Sequence, residues 1–183
     1  MSTTSLNSPV SPLDHVDGPV ESPATVVMYG DYECPYTRHA HQLIRLLQKR
    51  LPGAVRYAYR HFPLRHLHPH AQLAAEATEA AAEVGRFWAM HDTLVLHRDA
   101  LGEPSLLEYG SRIGLDRERL AWQLTIHALA ERVEIDVQSG LASGVHGTPT
   151  LFINHVRYVG ERNLRALGSA IRERTMSGVE VER

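Results

Sequence analysis

A long helical stretch in the middle of the chain sets the strongest limit on its fold. From about residue 69 to residue 144 the sequence is rich in alanine or spaces its apolar residues at helical intervals, and no strand pattern interrupts it. Strand patterns lie on both sides of this stretch. The predicted order is strand–helix–strand, a helical block, and then strand–strand–helix, which is typical of an α/β fold with a helical insertion.

The elements that flank the helical block are predicted from local patterns. An apolar run over 25–29 and an alternating run over 55–60 indicate strands, and they are separated by a helix that begins at Cys34-Pro35. After the block, the sequence predicts a strand over 150–153, a tight turn at Asn154-His155, a returning strand over 156–159 and a helix over 162–175. Within the block, Asp116 is the predicted N-cap of a helix over 117–125.

These elements predict one domain that is interrupted by another. Residues 14–64 and 145–175 are expected to form the two halves of a single α/β domain, and residues 65–144 the inserted helical domain. Residues 1–13 are rich in Ser, Thr and Pro and lack periodicity, so we expect a flexible N-terminal tail there. Residues 176–183 are expected to be a C-terminal tail.

The composition excludes several classes of protein. One cysteine rules out an internal disulfide framework and a multi-thiolate zinc site. A net charge of −2 provides no basic field, so nucleic acid is not an expected partner. No apolar stretch approaches the roughly 18 residues of a membrane span, and residues 1–25 contain no Lys or Arg and no apolar core of a secretory signal. We therefore expect no membrane association and a cytoplasmic location.

The single cysteine stands where the first strand gives way to a helix. Because Pro35 occupies the first helical position, the sulfur of Cys34 should lie beside free backbone N–H groups at the positive end of the helix dipole. That environment stabilises a thiolate. The position therefore favours a reactive nucleophile over a cysteine that is only a small buried hydrophobe.

Four charged or titratable neighbours are candidate modulators of the ionisation of Cys34. Glu33 adds negative charge and opposes the thiolate, whereas Arg38 and His39 favour it. His146 is the candidate partner for a Cys–His dyad, because it lies next to the Gly-Thr-Pro loop before the third strand.

Four motifs together resemble the DsbA-like branch of the thioredoxin superfamily. They are Tyr-Gly-Asp-Tyr-Glu-Cys-Pro-Tyr at 29–36, Arg-His-Phe-Pro-Leu at 60–64, His-Pro-His-Ala at 68–71 and Gly-Thr-Pro-Thr-Leu-Phe-Ile at 147–153. The resemblance extends from about residue 14 to residue 172. It implies a thioredoxin domain that is interrupted by a helical domain, and a thiol-disulfide oxidoreductase with Cys34 as its catalytic nucleophile. It also implies that Pro149 is cis and that Thr148 contacts Cys34, while Pro35, Tyr36 and Thr37 support the active site.

The chain departs from the family at one position that matters for the mechanism. The family usually has a second cysteine three residues after the first, where this chain has Thr37. A mixed disulfide on Cys34 therefore has no internal thiol to resolve it. The Thr37 hydroxyl either donates a hydrogen bond to the thiolate or is a neutral replacement, and both interpretations stay open.

The resulting hypothesis is a monothiol thiol-disulfide oxidoreductase. Its substrates would be protein or small-molecule thiols and disulfides, with no bound cofactor and with an external low-molecular-weight thiol, glutathione or an analogue, as co-substrate. An alternative is a redox-silent module that binds extended peptides in the groove beside Pro149. A minor alternative is a glutathione-dependent transferase or isomerase. The sequence leaves the oligomeric state open.

Histidines are the other residues that suggest chemistry. The chain has 12, and four of them lie within 61–70. No carboxylate occurs within 61–75 to complete or orient a metal site. We therefore interpret these histidines as loop and helix-cap residues, and we expect no metal site.

Overall fold

The computed structural model describes residues 5–179, with side chains described for residues 5–174. Within these residues the sheet has five strands, in the order β1-β3-β2-β4-β5. The central strands β2 and β3 are parallel, and the other neighbours are antiparallel. The strands are β1 (His15–Asp17), β2 (Ala24–Gly30), β3 (Val55–His61), β4 (Thr150–Ile153) and β5 (Val156–Tyr158).

Seven helices in the described residues complete the fold. They are α1 (Pro35–Arg50), α2 (Ala71–Ala82), α3 (Phe87–Leu96), α4 (Glu103–Arg112), α5 (Arg117–Thr125), α6 (Ala130–Ala142) and α7 (Leu164–Val179). Helix α1 joins the parallel strands β2 and β3, and helices α2 to α6 follow β3 before the chain returns to the sheet at β4. This is the predicted order of an α/β sheet with a helical insertion. Within the described residues, no helix combines the length and the apolar character that crossing a membrane requires.

Strand β2 is buried on both faces because helices or loops cover each side. Val26 and Met28 belong to the main core, whereas Val27 and Tyr29 belong to a smaller cluster. Successive side chains of a strand point to opposite faces, so these two clusters lie on opposite sides of the sheet. Helix α1 contributes a buried apolar stripe that includes Ile44 to the main core. The end of β2 is thereby held rigidly, and the candidate site begins there.

The expected flexible N-terminal tail is wrong for residues 5–13. The Leu6 side chain is buried, and its backbone N–H donates to the carbonyl of His155 at 2.7 Å. Arg60, which is only 3% exposed, donates to the carbonyls of Ser8 and Pro9 at 2.9 and 3.0 Å. A buried guanidinium needs acceptors, and this polar segment supplies them. Residues 1–4 of the predicted tail lie outside the described residues.

One strand and one helix end differ from the sequence prediction. Strand β1 is not predicted, because three residues are too short for a recognisable alternation. Helix α7 continues to Val179, so the predicted C-terminal tail is helical over 176–179, and residues 180–183 lie outside the described residues.

Two local predictions are confirmed. Asn154 and His155 have φ angles of 45° and 68° and form the turn between β4 and β5. The Asp116 carboxylate caps α5 by accepting a hydrogen bond from the backbone N–H of Arg119 at 2.8 Å.

Candidate active site

Cys34 is the residue that caps the start of α1. It has extended backbone angles (φ −72°, ψ 119°), and Pro35 opens the helix after it. The carbonyl of Cys34 accepts hydrogen bonds from the backbone N–H groups of Thr37 and Arg38 at 3.1 and 3.4 Å. The side chain is only 4% exposed. The sulfur is thus at the helix N-terminus, as the sequence predicts, and close to the surface without being freely exposed.

A second segment, 114 positions away in sequence, meets Cys34 at this corner. The Cys34 thiol donates a hydrogen bond to the carbonyl of Thr148, with an Sγ–O distance of 3.3 Å. The peptide bond between Thr148 and Pro149 is cis, in agreement with the resemblance. The hydroxyl of Thr148 is buried and has no hydrogen-bond partner among the described residues. The corner therefore brings the thiol against the backbone carbonyl of a residue whose own hydroxyl has no partner among the described residues.

The loop that contains Thr148 is fixed by contacts on either side. The Thr150 hydroxyl donates to the carbonyl of Gly147 at 2.8 Å, and Arg162 donates to the carbonyl of Pro149 at 3.1 Å. His39 lies 3.0 Å from the carbonyl of Arg162 through Nε2. The imidazole of His39 is therefore directed towards this support and not towards the sulfur.

Asp31, which was not predicted as a site residue, organises the loop between β2 and α1. Its carboxylate is buried and accepts hydrogen bonds from the backbone N–H groups of Glu33 and Leu64 at 2.8 and 2.7 Å. The same carboxylate contacts Nδ1 of His68 at 2.9 Å. The backbone carbonyl of Asp31 also accepts from the N–H of Cys34 at 3.1 Å. One residue thus connects the thiol corner to the loop that leads into the helical block.

Two histidines of the 61–70 tract pair with carboxylates from the loop before α1. His68 pairs with Asp31, and His70 pairs with Glu33 at 3.1 Å. His70 also stands at the N-cap position of α2, in keeping with the interpretation as loop and cap histidines. Each of these two carboxylates precedes its histidine by 37 positions, so no pattern within the tract indicates it.

The remaining predicted site residues take different positions. Tyr36 is 64% exposed next to Pro35, whereas Thr37 is buried and its hydroxyl accepts from the N–H of Asp31 at 3.2 Å. Thr37 therefore supports the loop. Arg38 is half-buried and His146 is exposed, and neither side chain makes a hydrogen bond or an ion pair with the described residues.

A surface pocket lies away from these residues. Its lining includes Asp17, Arg45 and Asp92, and Cys34 is not among the lining residues.

The curated relatives of this chain are much longer proteins, and this chain matches one segment of each. It is 48% identical over 167 residues to "Na(+)/H(+) antiporter NhaA 3" of Salinispora tropica. The matched region covers 91% of this chain and 26% of that relative. It is 46% identical over 167 residues to "Na(+)/H(+) antiporter NhaA 1" of Salinispora arenicola, with the same coverage. The chain thus spans about a quarter of the length of these relatives.

Solved structures share the architecture over nearly the whole chain. Oxidised BdbD from Bacillus subtilis matches with a TM-score of 0.85 and 20% identity, over 96% of this chain and 100% of that chain. A thioredoxin-like oxidoreductase from Silicibacter pomeroyi matches with a TM-score of 0.75 and 27% identity, over 93% and 94%. The family described as Thioredoxin matches residues 11–173. Because this match spans most of the chain, the chain belongs to the thioredoxin family.

Proposed function

We propose that the chain is a thiol-disulfide oxidoreductase that works with one thiol, Cys34, as its nucleophile. The observation that carries the proposal is the contact between Sγ of Cys34 and the carbonyl oxygen of Thr148, which are 3.3 Å apart at the start of α1. This position combines helix N–H groups that favour a thiolate with a backbone segment on which an extended substrate can align. The similar protein from Silicibacter pomeroyi, a thioredoxin-like oxidoreductase, supports the same reaction class.

The reaction proceeds by two exchanges. The Cys34 thiolate attacks one sulfur of a substrate disulfide, the S–S bond of the substrate breaks, and its other sulfur leaves as a thiolate that takes up a proton. An external thiolate then attacks the substrate-derived sulfur of the mixed disulfide. Cys34 is released as a thiolate, and the external thiol leaves as a new disulfide with the substrate fragment. One disulfide is consumed and one is formed, so no separate oxidant is needed.

The external thiol is required because Cys34 is the only cysteine of the chain. We place the reaction in a compartment where low-molecular-weight thiols are abundant, such as the cytoplasm. Glutathione or an analogue is the proposed co-substrate. The buried Thr148 hydroxyl, which lacks a partner among the described residues, is the proposed donor to the sulfur once it is charged.

The decisive experiment follows the mixed disulfide directly. The full chain is incubated with glutathione disulfide and analysed by intact mass, and is then assayed for removal of glutathione from a glutathionylated peptide in the presence of reduced glutathione. We expect one adduct per chain and turnover, both of which disappear in Cys34→Ser. Adduct formation no faster than with a free cysteine peptide would contradict the proposal.

Restoring a second thiol tests the monothiol step separately. Thr37→Cys places a thiol where the family usually has one, so it should enable reduction of insulin disulfides by a dithiol route. Thr37→Ser is the matched control, because it keeps a hydroxyl for the N–H of Asp31 without adding a thiol. If Thr37→Cys gains nothing over Thr37→Ser, the site lacks more than its second cysteine, and the redox-silent peptide binder becomes the better hypothesis. In that case Cys34→Ser should retain peptide binding.

A second proposal concerns the protein on which this domain acts or to which it binds. Segments that are 46–48% identical to this chain belong to polypeptides named as Na(+)/H(+) antiporters. We propose that an antiporter of this kind is a substrate or a binding partner of the domain. In vesicles that contain the Salinispora tropica antiporter without its matching segment, added chain should bind to the vesicles and change the rate of sodium–proton exchange. An unchanged rate together with no binding would reject this partner.

A further inference from the structure

Three potential metal ligands meet outside the set of side chains that surrounds Cys34. His15 comes from β1, His61 from the end of β3 and Glu79 from α2. Nε2 of His15 lies 2.9 and 3.0 Å from the two carboxylate oxygens of Glu79, and Nε2 of His61 lies 3.0 Å from Oε1. The side chains are 16%, 1% and 4% exposed, respectively. The cluster is thus almost completely shielded from solvent.

His61 is the unusual member of this cluster. Both of its ring nitrogens are buried, and neither makes a hydrogen bond within the described residues, although Nε2 is directed close to Glu79. Buried polar atoms nearly always have a partner, since leaving one unpaired costs free energy. A metal ion that accepts the lone pair of Nε2 in a neutral imidazole would give that nitrogen a partner.

The charges around the cluster suit a cation. A fixed cation close by is Arg132, whose Nε lies 3.8 Å from Glu79 and whose Nη1 lies 2.7 Å from Asp136. Two carboxylates thus share one guanidinium, which leaves negative charge for a dication to balance.

We infer that His15, His61 and Glu79 form a binding site for one divalent transition-metal ion, of which Zn²⁺ is the best fit. Zinc accepts imidazole nitrogen and carboxylate oxygen, and tetrahedral coordination at these bond lengths separates the ligand atoms by about 3.3 Å. The observed separations around Oε1 are close to that spacing. Three protein ligands leave the fourth position for water, and the partly exposed edge of His15 provides a route for entry.

A second cluster of similar composition does not call for an ion. His91 contacts the Tyr32 hydroxyl through Nδ1 at 2.8 Å and Nδ1 of His41 through its own Nε2 at 3.1 Å. His41 in turn contacts Asp92 through Nε2 at 3.2 Å. Among the described residues, no ring nitrogen of His41 or His91 is buried without a hydrogen-bond partner, so hydrogen bonding already explains this arrangement.

The inferred site departs from the sequence expectation of no metal, and its position suggests a structural effect. It would join β1, β3 and α2, which are the N-terminal strand, the sheet and the first helix of the insertion. An ion that binds only the folded chain stabilises it. We therefore expect zinc to raise the melting temperature of the protein, independently of any exchange at Cys34.

The test is zinc titration of the untagged full chain after treatment with a chelator. Calorimetry should show one Zn²⁺ per chain, and the affinity should fall by more than about 100-fold in His61→Gln and in Glu79→Gln, since each removes a direct ligand. His127→Gln is the matched control, because this exposed histidine pairs with Glu76 outside the cluster. Cys34→Ser should bind zinc as the wild type does. Three results would overturn the inference: no saturable zinc binding by the wild type, wild-type affinity in both His61→Gln and Glu79→Gln, or loss of zinc binding in Cys34→Ser.

A second measurement covers the case in which the ligand variants fail to fold. X-ray absorption of the zinc-loaded wild type should show two imidazole ligands together with oxygen neighbours. A sulfur neighbour, or fewer than two imidazoles, would exclude this site.

Discussion

At the scale of single residues, the site depends on groups that carry no reactivity of their own. Cys34 is the nucleophile of the proposed reaction, but Asp31 fixes the loop in which it stands. The buried carboxylate receives two backbone N–H groups and one imidazole, and the carbonyl receives the N–H of Cys34. A change at Asp31 should therefore affect both the stability of the fold and the placement of the sulfur.

We expect Asp31→Ala to lower the free energy of unfolding by about 2–3 kcal/mol, because charge-assisted hydrogen bonds are lost and buried N–H groups are left unpaired. The rate of mixed-disulfide formation should also fall. Urea unfolding and intact-mass kinetics measure the two effects. Glu33→Gln is the control, since its partly exposed side chain accepts mainly from His70. Equal stability of Asp31→Ala and the wild type would show that the loop holds without this carboxylate.

Gly30 is required by close packing at the end of β2. A Cβ atom there would lie 2.5 Å from Cε2 of Tyr59 and 2.9 Å from Cγ2 of Thr37. Overpacking of this kind destabilises by about 1–3 kcal/mol, so we expect Gly30→Ala to lower the urea midpoint accordingly. At Gly147 a Cβ would meet nothing within 4 Å, and Gly147→Ala should leave the midpoint nearly unchanged. Equal midpoints for the two variants would mean that Tyr59 yields without strain.

At the scale of elements, two helices differ in how their first turns are capped. Helix α5 has a side-chain cap from Asp116, whereas Cys34 caps α1 without a side-chain hydrogen bond. At the start of α1 the N–H groups of Thr37 and Arg38 instead donate to the backbone carbonyl of Cys34, so the cysteine side chain is not used as a cap.

The cap of α5 allows a calibrated test. Asp116→Ala should destabilise the protein by about 1 kcal/mol, because the N–H of Arg119 loses its acceptor. Glu118→Ala lies in the first turn of the same helix without capping it, so it should cost less. Thermal unfolding of the two variants measures the difference. A larger loss in Glu118→Ala would contradict the assignment of the cap.

At the scale of the whole molecule, buried histidines lie between the sheet and the helical block and make the fold sensitive to acid. Burial lowers the pKa of His91 well below its ordinary value, and the nearby charges of His41 and Arg45 lower it further. Its direct neighbours are the Tyr32 hydroxyl and His41, which in turn contacts Asp92. His91 therefore stays neutral in the folded chain at a mildly acidic pH at which the same imidazole is protonated in the unfolded chain.

The sign of the pH dependence follows from this shift. The stability due to neutral His91 is complete above about pH 6.5 and is lost as the pH falls below it, by up to about 1.4 kcal/mol per pH unit. Urea unfolding between neutral and mildly acidic pH measures the slope. The slope should be shallower in His91→Gln and unchanged in His66→Gln, which alters an exposed histidine. Equal slopes in all three proteins would rule out His91 as the source.

The sequence by itself determined the features that residues a few positions apart can set. Strand and helix order follows from hydrophobic periodicity, and the Asn154-His155 turn and the Asp116 cap follow from local backbone preferences. The thiol corner belongs to the same class, because Pro35 after a buried strand fixes where the helix begins. These features need no knowledge of how distant segments meet.

Only the tertiary structure decided which distant groups share a site. The carbonyl of Thr148 reaches Cys34 because the antiparallel pairing of β4 with β2 brings residue 148 to the end of β2. In the same way, His68 meets Asp31, and His15 meets His61 and Glu79. Side chains far apart in sequence leave no periodic or capping signal, since their contact free energy exists only after the sheet and helices have packed. That is why the position of Cys34 at the start of a helix was evident from the sequence, whereas the Asp31 carboxylate and the histidine cluster were not.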